Sequence, residues 1–116
     1  MEWESNIFYY PEKHGLTTVA CISYDNTSYQ FDYRVVWRED MTGILYTARD
    51  SGCSCPTPFE GCDSVADMNR FYLSDIENEV YKEQQSSNYY GDNPTEFLAT
   101  IRQADKERIA QGRENV

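Results

Sequence analysis

The chain has 116 residues, and its 10 basic against 20 acidic side chains give a formal net charge of −10. This length predicts one domain, residues 1–116, and 40% apolar residues suffice for a hydrophobic core. The acidic balance argues against direct nucleic-acid binding, which needs a basic face. No apolar run approaches the ~18 residues of a membrane span. The N-terminus lacks the pattern of a signal peptide, so a cytoplasmic location is expected.

The first 50 residues predict an antiparallel sheet. A short apolar run at 7–10 and a Thr-, Val- and Ile-rich segment at 16–24 indicate the first two strands. Residues 29–38 alternate strictly between apolar and polar types, and residues 43–50 complete a fourth strand. Short loops between consecutive strands predict an antiparallel meander. The alternation places one apolar set on the face expected beneath the helices: Tyr29, Phe31, Tyr33, Val35 and Trp37.

Residues 64–112 are predicted to be helical. Capping patterns beginning at Ser64 and Ser74 indicate either two short helices or one helix broken near Leu73. The last helix has Asn93 as its cap, Pro94 as its first residue and Gly112 as its stop, with a frayed tail at 113–116. The predicted fold class is therefore α+β, a four-stranded antiparallel meander sheet followed by two or three helices packed on one face. On the opposite sheet face, Val36, with Val19 and Leu45, indicates incomplete solvation.

A Cys/Gly/Pro loop at residues 51–63 separates the sheet from the helices. Tetrahedral zinc takes four nitrogen or sulfur ligands, and the candidate ligands here are Cys53, Cys55 and Cys62, with Cys21 or His14 as the fourth. The spacing differs from that of common zinc fingers. Two alternatives stay open, namely reduced thiols in a tight connection or a disulfide from Cys62 to Cys53 or Cys55.

An enzyme is not predicted. A Cys–His nucleophile pair would have to use His14, the single histidine, and nothing in the sequence supplies an orienting third group. No glycine-rich phosphate loop occurs. We therefore assign no catalytic residue.

The acidic charge is densest at residues 60–83. On a helix, carboxylates at i, i+4 and i+8 share one face, and tyrosine is common at protein interfaces. At least one ring of the tyrosine pair in the polar loop 84–92 is expected to be exposed, and the alternative is that both rings fold back onto the helices. For the acidic residues, an ordinary solvated helix face is the alternative. The candidate partner-binding residues are Asp75, Glu79, Glu83, Tyr89 and Tyr90.

Residues 35–38 and 43–60, with the core D-S-G-C-S-C-P-x-P-F-E, resemble a group of small proteins of unassigned activity encoded by tailed phages of actinobacteria. The resemblance covers about a quarter of the chain, and Cys21 and Cys62 lie outside it. It implies a phage gene product acting in the host bacterial cytoplasm, and it favours thiols or bound metal over disulfides.

Together these features predict a non-enzymatic phage accessory protein. It would bind and modulate a host or phage protein, such as a defence or nucleic-acid-processing factor, through an acidic, Tyr-bearing surface. A small zinc-binding structural or regulatory domain is the alternative. An exposed edge strand could also pair two copies into a homodimer.

Overall fold

Within the described part of the chain, the fold consists of four antiparallel strands and two α-helices. The structure, a computed structural model, describes residues 5–27, 29–53, 57–86 and 89–110. The strands lie in the order β1-β2-β3-β4, and the helices follow them in the chain. The elements are β1 (Leu16–Ser23), β2 (Gln30–Glu39), β3 (Leu45–Cys53), β4 (Asn69–Arg70), α1 (Leu73–Gln84) and α2 (Thr95–Ala110). The predicted α+β class, a four-stranded antiparallel sheet followed by helices, is confirmed.

The predicted strand at residues 7–10 is wrong, because this segment forms a turn organised by Asn6. The Asn6 side-chain oxygen accepts hydrogen bonds from the backbone N–H groups of Phe8 (2.8 Å) and Tyr9 (3.2 Å). Its carbonyl accepts a third from Tyr10 N–H at 2.8 Å. An asparagine that bonds the following backbone in this way favours a turn over a strand.

The fourth strand comes instead from a segment that was predicted to be helical. Ser64 caps only a short 3-10 turn at Val65–Asp67, accepting from the N–H of Ala66 at 3.2 Å. The chain then extends as β4, which pairs antiparallel with Tyr46 and Thr47 of β3. The helical region therefore begins at Leu73, which is where the sequence indicated a break.

Both faces of β2 are buried, and the helices cover the face opposite to the predicted one. Val35, Val36 and Trp37 are each at most 1% exposed. The helix side is the face of Val36, as its apolar side chain had indicated, and the Trp37 side is covered by other parts of the chain. Helix-side core residues are Ile22, Val36, Leu45, Ile76, Val80, Phe97 and Ile101. Opposite-side core residues are Ile7, Leu16, Val35, Trp37 and Phe59.

Phe59 anchors the end of the Cys/Gly/Pro loop beneath the sheet. Its ring meets Trp37 edge-to-face at 5.4 Å and stacks with Phe8 at 5.6 Å. Its N–H donates to the Asp50 carboxylate at 2.7 Å, and its φ is +59°. A positive φ is unusual for a bulky residue. Aromatic packing and this hydrogen bond hold the loop in place, which explains why no helix is needed on this face.

The cap of α2 agrees with the sequence to within one residue. The Asn93 side-chain oxygen accepts from the N–H (3.0 Å) and the hydroxyl (2.7 Å) of Thr95, the first residue of the helix. The predicted first residue, Pro94, precedes it and accepts from Leu98 N–H at 2.8 Å. Gly112 and the tail at 113–116 lie outside the described residues. Among the described helices, none is long and apolar enough to cross a membrane.

Gly91 lies at the closest approach between the loop before α2 and the end of β1. A Cβ at this position would stand 2.6 Å from the Ser23 carbonyl oxygen and 2.6 Å from the Tyr24 carbonyl carbon. We expect Gly91→Ala to lower the free energy of unfolding by about 1–3 kcal/mol, because the obstacle is backbone and cannot rotate away. Urea unfolding monitored by tryptophan fluorescence measures this change.

Gly61→Ala is the matched control, since a Cβ at Gly61 meets no atom within 4 Å. It should leave stability almost unchanged. Equal effects of the two substitutions would mean that the close packing of Gly91 against β1 does not occur in solution.

Candidate partner-binding surface

The middle of the predicted acidic stripe faces the sheet rather than solvent. Glu79, on α1, receives two hydrogen bonds from Arg34 of β2, from Nε at 2.8 Å and from Nη2 at 2.5 Å. The Tyr24 hydroxyl donates a third at 2.7 Å. The Arg34 side chain is 12% exposed and that of Glu79 is 21% exposed. This bidentate, charge-assisted pair ties α1 to the central strand.

A second arginine extends the pair into a network. Arg49 of β3 makes two hydrogen bonds to the Asp32 carboxylate, at 2.8 and 2.7 Å. It also lies 3.2 Å from a carboxylate oxygen of Glu83 and 3.5 Å from one of Glu79. Its guanidinium stands over the Tyr24 ring, 4.5 Å from the centroid. Two guanidinium groups therefore pair with three carboxylates, those of Asp32, Glu79 and Glu83.

This network corrects the interpretation of the acidic stripe. Glu79 and Glu83 are engaged by Arg34 and Arg49, so the stripe is not a continuous acidic face available to a partner. Asp75, one turn before Glu79, is exposed. The arginines offset the cost of the like charges of Glu79 and Glu83 at helical spacing, and their pairing with these glutamates could not be predicted from the sequence.

The environment of Glu79 favours its charged form. Burial alone would raise the pKa of this carboxyl, but hydrogen bonds from Arg34 and Tyr24 and the charges of both arginines outweigh it. The pKa of Glu79 is consequently held below its ordinary value of 4.5. The same arrangement raises the pKa of Tyr24, through burial first and then its hydrogen bond to Glu79.

The tyrosine pair lies where the loop before α2 meets the end of β1. Tyr90 forms a parallel bridge with Asp25, and its carbonyl accepts from Asn26 N–H at 3.0 Å. Its side chain is 64% exposed. Tyr89 is half-buried against the helix-side core, and its hydroxyl donates to the Asp92 carbonyl at 2.6 Å. The expectation that at least one of the two rings is exposed is confirmed.

Asp92, which was not among the predicted site residues, fixes this segment. Its carboxylate accepts from Ser23 N–H and from the Asn26 amide, each at 2.9 Å, and its own N–H donates to Ser23 O at 2.7 Å. The sequence feature that could have pointed to Asp92 is its position immediately before Asn93, the capping residue of α2. Glu96 lies in the same cleft as Asp92. We call Asp25, Tyr90, Asp92 and Glu96 the Tyr90 surface.

The strand register separates two of the candidate zinc ligands. Cys21 of β1 pairs with Val35 of β2, and Cys53 of β3 pairs with Gln30 of β2. Val35 and Gln30 are five residues apart, which corresponds to about 17 Å along β2. Because this separation is odd, the side chains of Cys21 and Cys53 lie on opposite faces of the sheet. Zinc–sulfur bonds are about 2.3 Å long. Cys21 and Cys53 therefore cannot ligate one zinc ion, and the proposed set of four cysteines is not a single site.

Cys55 lies outside the described residues, so its part in a loop site stays a prediction. Among the described residues, no group of three His, Cys, Asp or Glu side chains is arranged to hold a metal ion. Cys62 is a half-buried thiol. Burial, followed by the charges of nearby aspartates, raises its pKa to about 11. Cys21 is exposed as a residue, but the pKa of its thiol is likewise raised to about 11, first by partial desolvation and then by the charge of Asp92.

His14 does not join these thiols into a described site. It ends a 3-10 turn just before β1, and its Nε2 contacts the Ser5 carbonyl oxygen at 2.5 Å. The start of β1 pairs with Glu39, whereas Cys53 pairs with Gln30 at the other end of β2. His14 and Cys53 thus lie at opposite ends of the sheet.

Removing Glu79 should be far more costly than removing a neighbouring glutamate. Glu79→Ala leaves the mostly buried Arg34 guanidinium without its counter-ion, so we expect a loss of about 2–4 kcal/mol in the free energy of unfolding. Glu77→Ala is the control, since its ion pair with Arg102 (2.7 Å) lies at the surface. That substitution should cost at most about 1 kcal/mol. Urea denaturation of both variants tests this, and comparable losses would contradict the network's role.

The same carboxylate makes stability depend on acidity. Because the pKa of Glu79 is lower in the folded than in the unfolded chain, its contribution is complete above pH 4.5. It is lost as the pH falls through the folded-state pKa. We expect the free energy of unfolding to fall less steeply below pH 4.5 in Glu79→Gln than in the unmodified protein. Parallel slopes between pH 5 and pH 2 would contradict this.

Comparison with known proteins adds a family but no activity. The comparison with curated proteins and that with solved structures each gave no match. A family model described as "Domain of unknown function (DUF7574)" matches residues 5–110, which include all the strands and helices described above. The chain therefore belongs to the DUF7574 family.

Proposed function

We propose that this chain is a non-enzymatic accessory protein that binds and modulates another protein through the Tyr90 surface. The observation that carries the proposal is an exposed aromatic side chain on a segment held by main-chain hydrogen bonds. Tyr90 presents 64% of its side chain to solvent, while its backbone is bonded to Asn26 and followed by the tightly packed Gly91.

A fixed tyrosine is an effective interface anchor. It offers a large contact area with a polar tip, and little backbone freedom is left to lose on binding. The Asp25 carboxylate beside it accepts from the Thr27 N–H and hydroxyl, and these hydrogen bonds lower its pKa. The anchor is thus flanked by a carboxylate that stays charged at neutral pH.

The charge of the Tyr90 surface favours a basic partner. It carries three carboxylates, those of Asp25, Asp92 and Glu96, and within the described residues no Lys or Arg forms an ion pair with them. Charges of one sign steer a partner of the opposite sign, and salt weakens that attraction. We therefore place the binding site at the Tyr90 surface rather than on the predicted acidic stripe, because Glu79 and Glu83 are paired with Arg34 and Arg49.

The proposal keeps the biological setting suggested by the sequence. The resemblance to actinobacteriophage proteins supports a phage product acting in the host bacterial cytoplasm. Its target would be a host or phage protein, such as a defence or nucleic-acid-processing factor. A thiol-dependent reaction at Cys21 or Cys62 is disfavoured, because pKa values of about 11 keep these two thiols protonated at neutral pH.

Tyr90→Ala in a tagged pull-down from actinobacterial lysate tests the proposal. We expect one partner, captured at low salt and released by moderate salt, and identified by mass spectrometry. Removing an aromatic anchor typically costs about 2 kcal/mol or more, which corresponds to about thirtyfold in Kd. Titration of the purified partner would measure this change.

Tyr81→Ala is the matched control, because its side chain is also 64% exposed. Tyr81 lies two residues from both Glu79 and Glu83, which places it on the opposite side of α1. Capture should survive in this variant. Capture of no partner at any salt concentration, or equal binding by the two variants, would overturn the proposal.

A further inference from the structure

We propose that the outer edge of β1 binds an extended, Lys- or Arg-bearing segment of a partner protein as an added β-strand. This inference rests on the proposed function, because it names the kind of partner and the way it docks. The edge adjoins the Tyr90 surface, with which it shares Asp92 and Glu96.

The backbone of β1 presents hydrogen-bonding groups outward. Tyr24 N–H donates to Asp32 O on β2 at 2.7 Å, so Tyr24 faces inward. The N–H and C=O of Ser23 face outward, where the N–H donates to the Asp92 carboxylate and the C=O accepts from the Asp92 N–H. Residues alternate in an antiparallel pair, which turns the N–H and C=O of Cys21 outward as well. Within the described residues, no strand pairs with this edge before the segment at 90–92.

Side chains along this edge leave room for another chain. Thr17, Thr18 and Cys21 are exposed on β1. Two clefts of about 500 Å³ each flank Val19, one toward Asp92 and the other toward Glu107. Together they form a groove between β1 and α2. Main-chain bonding to an edge, with a groove for alternate side chains, is the arrangement of β-strand addition.

The groove carries more negative than positive charge. Asp92, Glu96 and Glu107 line it, against one guanidinium, that of Arg38. A basic side chain on an added strand could pair with Glu96, whose carboxylate has no ion pair among the described residues. This excess of carboxylates identifies the occupant as a segment bearing Lys or Arg.

The same features disfavour a second copy of the chain. Two paired β1 edges would bring like carboxylates together, and each chain carries a net charge of −10. A β-bulge between Thr18 and Ala20 also interrupts the edge. Such bulges hinder the pairing of two rigid edges, whereas a short flexible segment can follow the irregular backbone.

The test uses a fluorescein-labelled octapeptide of alternating Val and Lys, with a Val/Glu peptide as control. Binding is followed by fluorescence anisotropy, and the site by protection of Cys21 from iodoacetamide at mildly alkaline pH, where a fraction of this thiol is ionised, with exposed Cys53 as reference. We expect the Lys peptide to bind and to protect Cys21 but not Cys53. Glu96→Gln should weaken binding about two- to fivefold, while Glu60→Gln, the same change on a distant loop, should not.

Backbone methylation separates strand addition from simple charge attraction. One form of the Lys peptide is N-methylated at every Val and the other at every Lys. Only one edge of an added strand faces β1, so one form should lose about tenfold or more in affinity and the other should not. Equal effects of the two forms, unprotected Cys21, or a protein dimer that protects Cys21 without peptide would each overturn the inference.

The peptide assay and the lysate experiment can fail independently. A partner that depends on Tyr90, combined with no binding of the Lys peptide, would remove the added strand and leave the proposed function standing. Peptide binding with no captured partner would remove the proposed function instead.

Discussion

Arg34, in the middle of the central strand, is the constraint on which the rest of the structure depends. Its neighbours Val35 and Val36 are buried on opposite faces of the sheet, so its guanidinium enters the layer beneath the helices. A charge taken out of water requires a counter-ion and hydrogen bonds. Glu79 supplies both, and it can do so only if α1 turns that residue toward the sheet.

This rotation of α1 determines what its other side chains do. Ile76 and Val80 enter the core beside Glu79, and Glu83 comes within reach of Arg49 one turn later. Tyr81 is left facing solvent. Two carboxylates of the densest acidic run, those of Glu79 and Glu83, thereby hold the helix to the sheet. At the Tyr90 surface, by contrast, Asp25, Asp92 and Glu96 form no ion pair with a described Lys or Arg.

Local chemistry made much of the fold predictable from the sequence. Strict alternation located β2, and the side chain of Asn93 located α2. The failures arose where a contact distant in the chain decided the outcome. The inward turn of Glu79 depends on Arg34, 45 residues earlier. The sequence could not show which face of the sheet the helices cover, because β2 carries apolar side chains on both faces. In the structure, the anchoring of Phe59 against Trp37 shows what covers the face without helices.

The candidate site shows the same division. The exposure of Tyr90 could be predicted because its loop is polar. Asp92 was missed, since its role is to bond Ser23, 69 residues away. The set of four cysteines as one zinc site was wrong for a related reason: the register of β2, which the sequence alone does not show, places Cys21 and Cys53 on opposite faces.

An open strand edge can pair with the edge of another chain and lead to aggregation. The charges beside the edge of β1 oppose such pairing between identical chains. Bulges and charged side chains are the usual means by which edge strands avoid pairing with their own copies. Here a bulge lies beside Val19, and the carboxylates of Asp92 and Glu96 line the cleft next to the edge, which are features of that kind. The same carboxylates attract a segment of opposite charge. A single arrangement can therefore keep identical chains apart while leaving the edge of β1 available to a basic partner, and the net charge of −10 strengthens both effects.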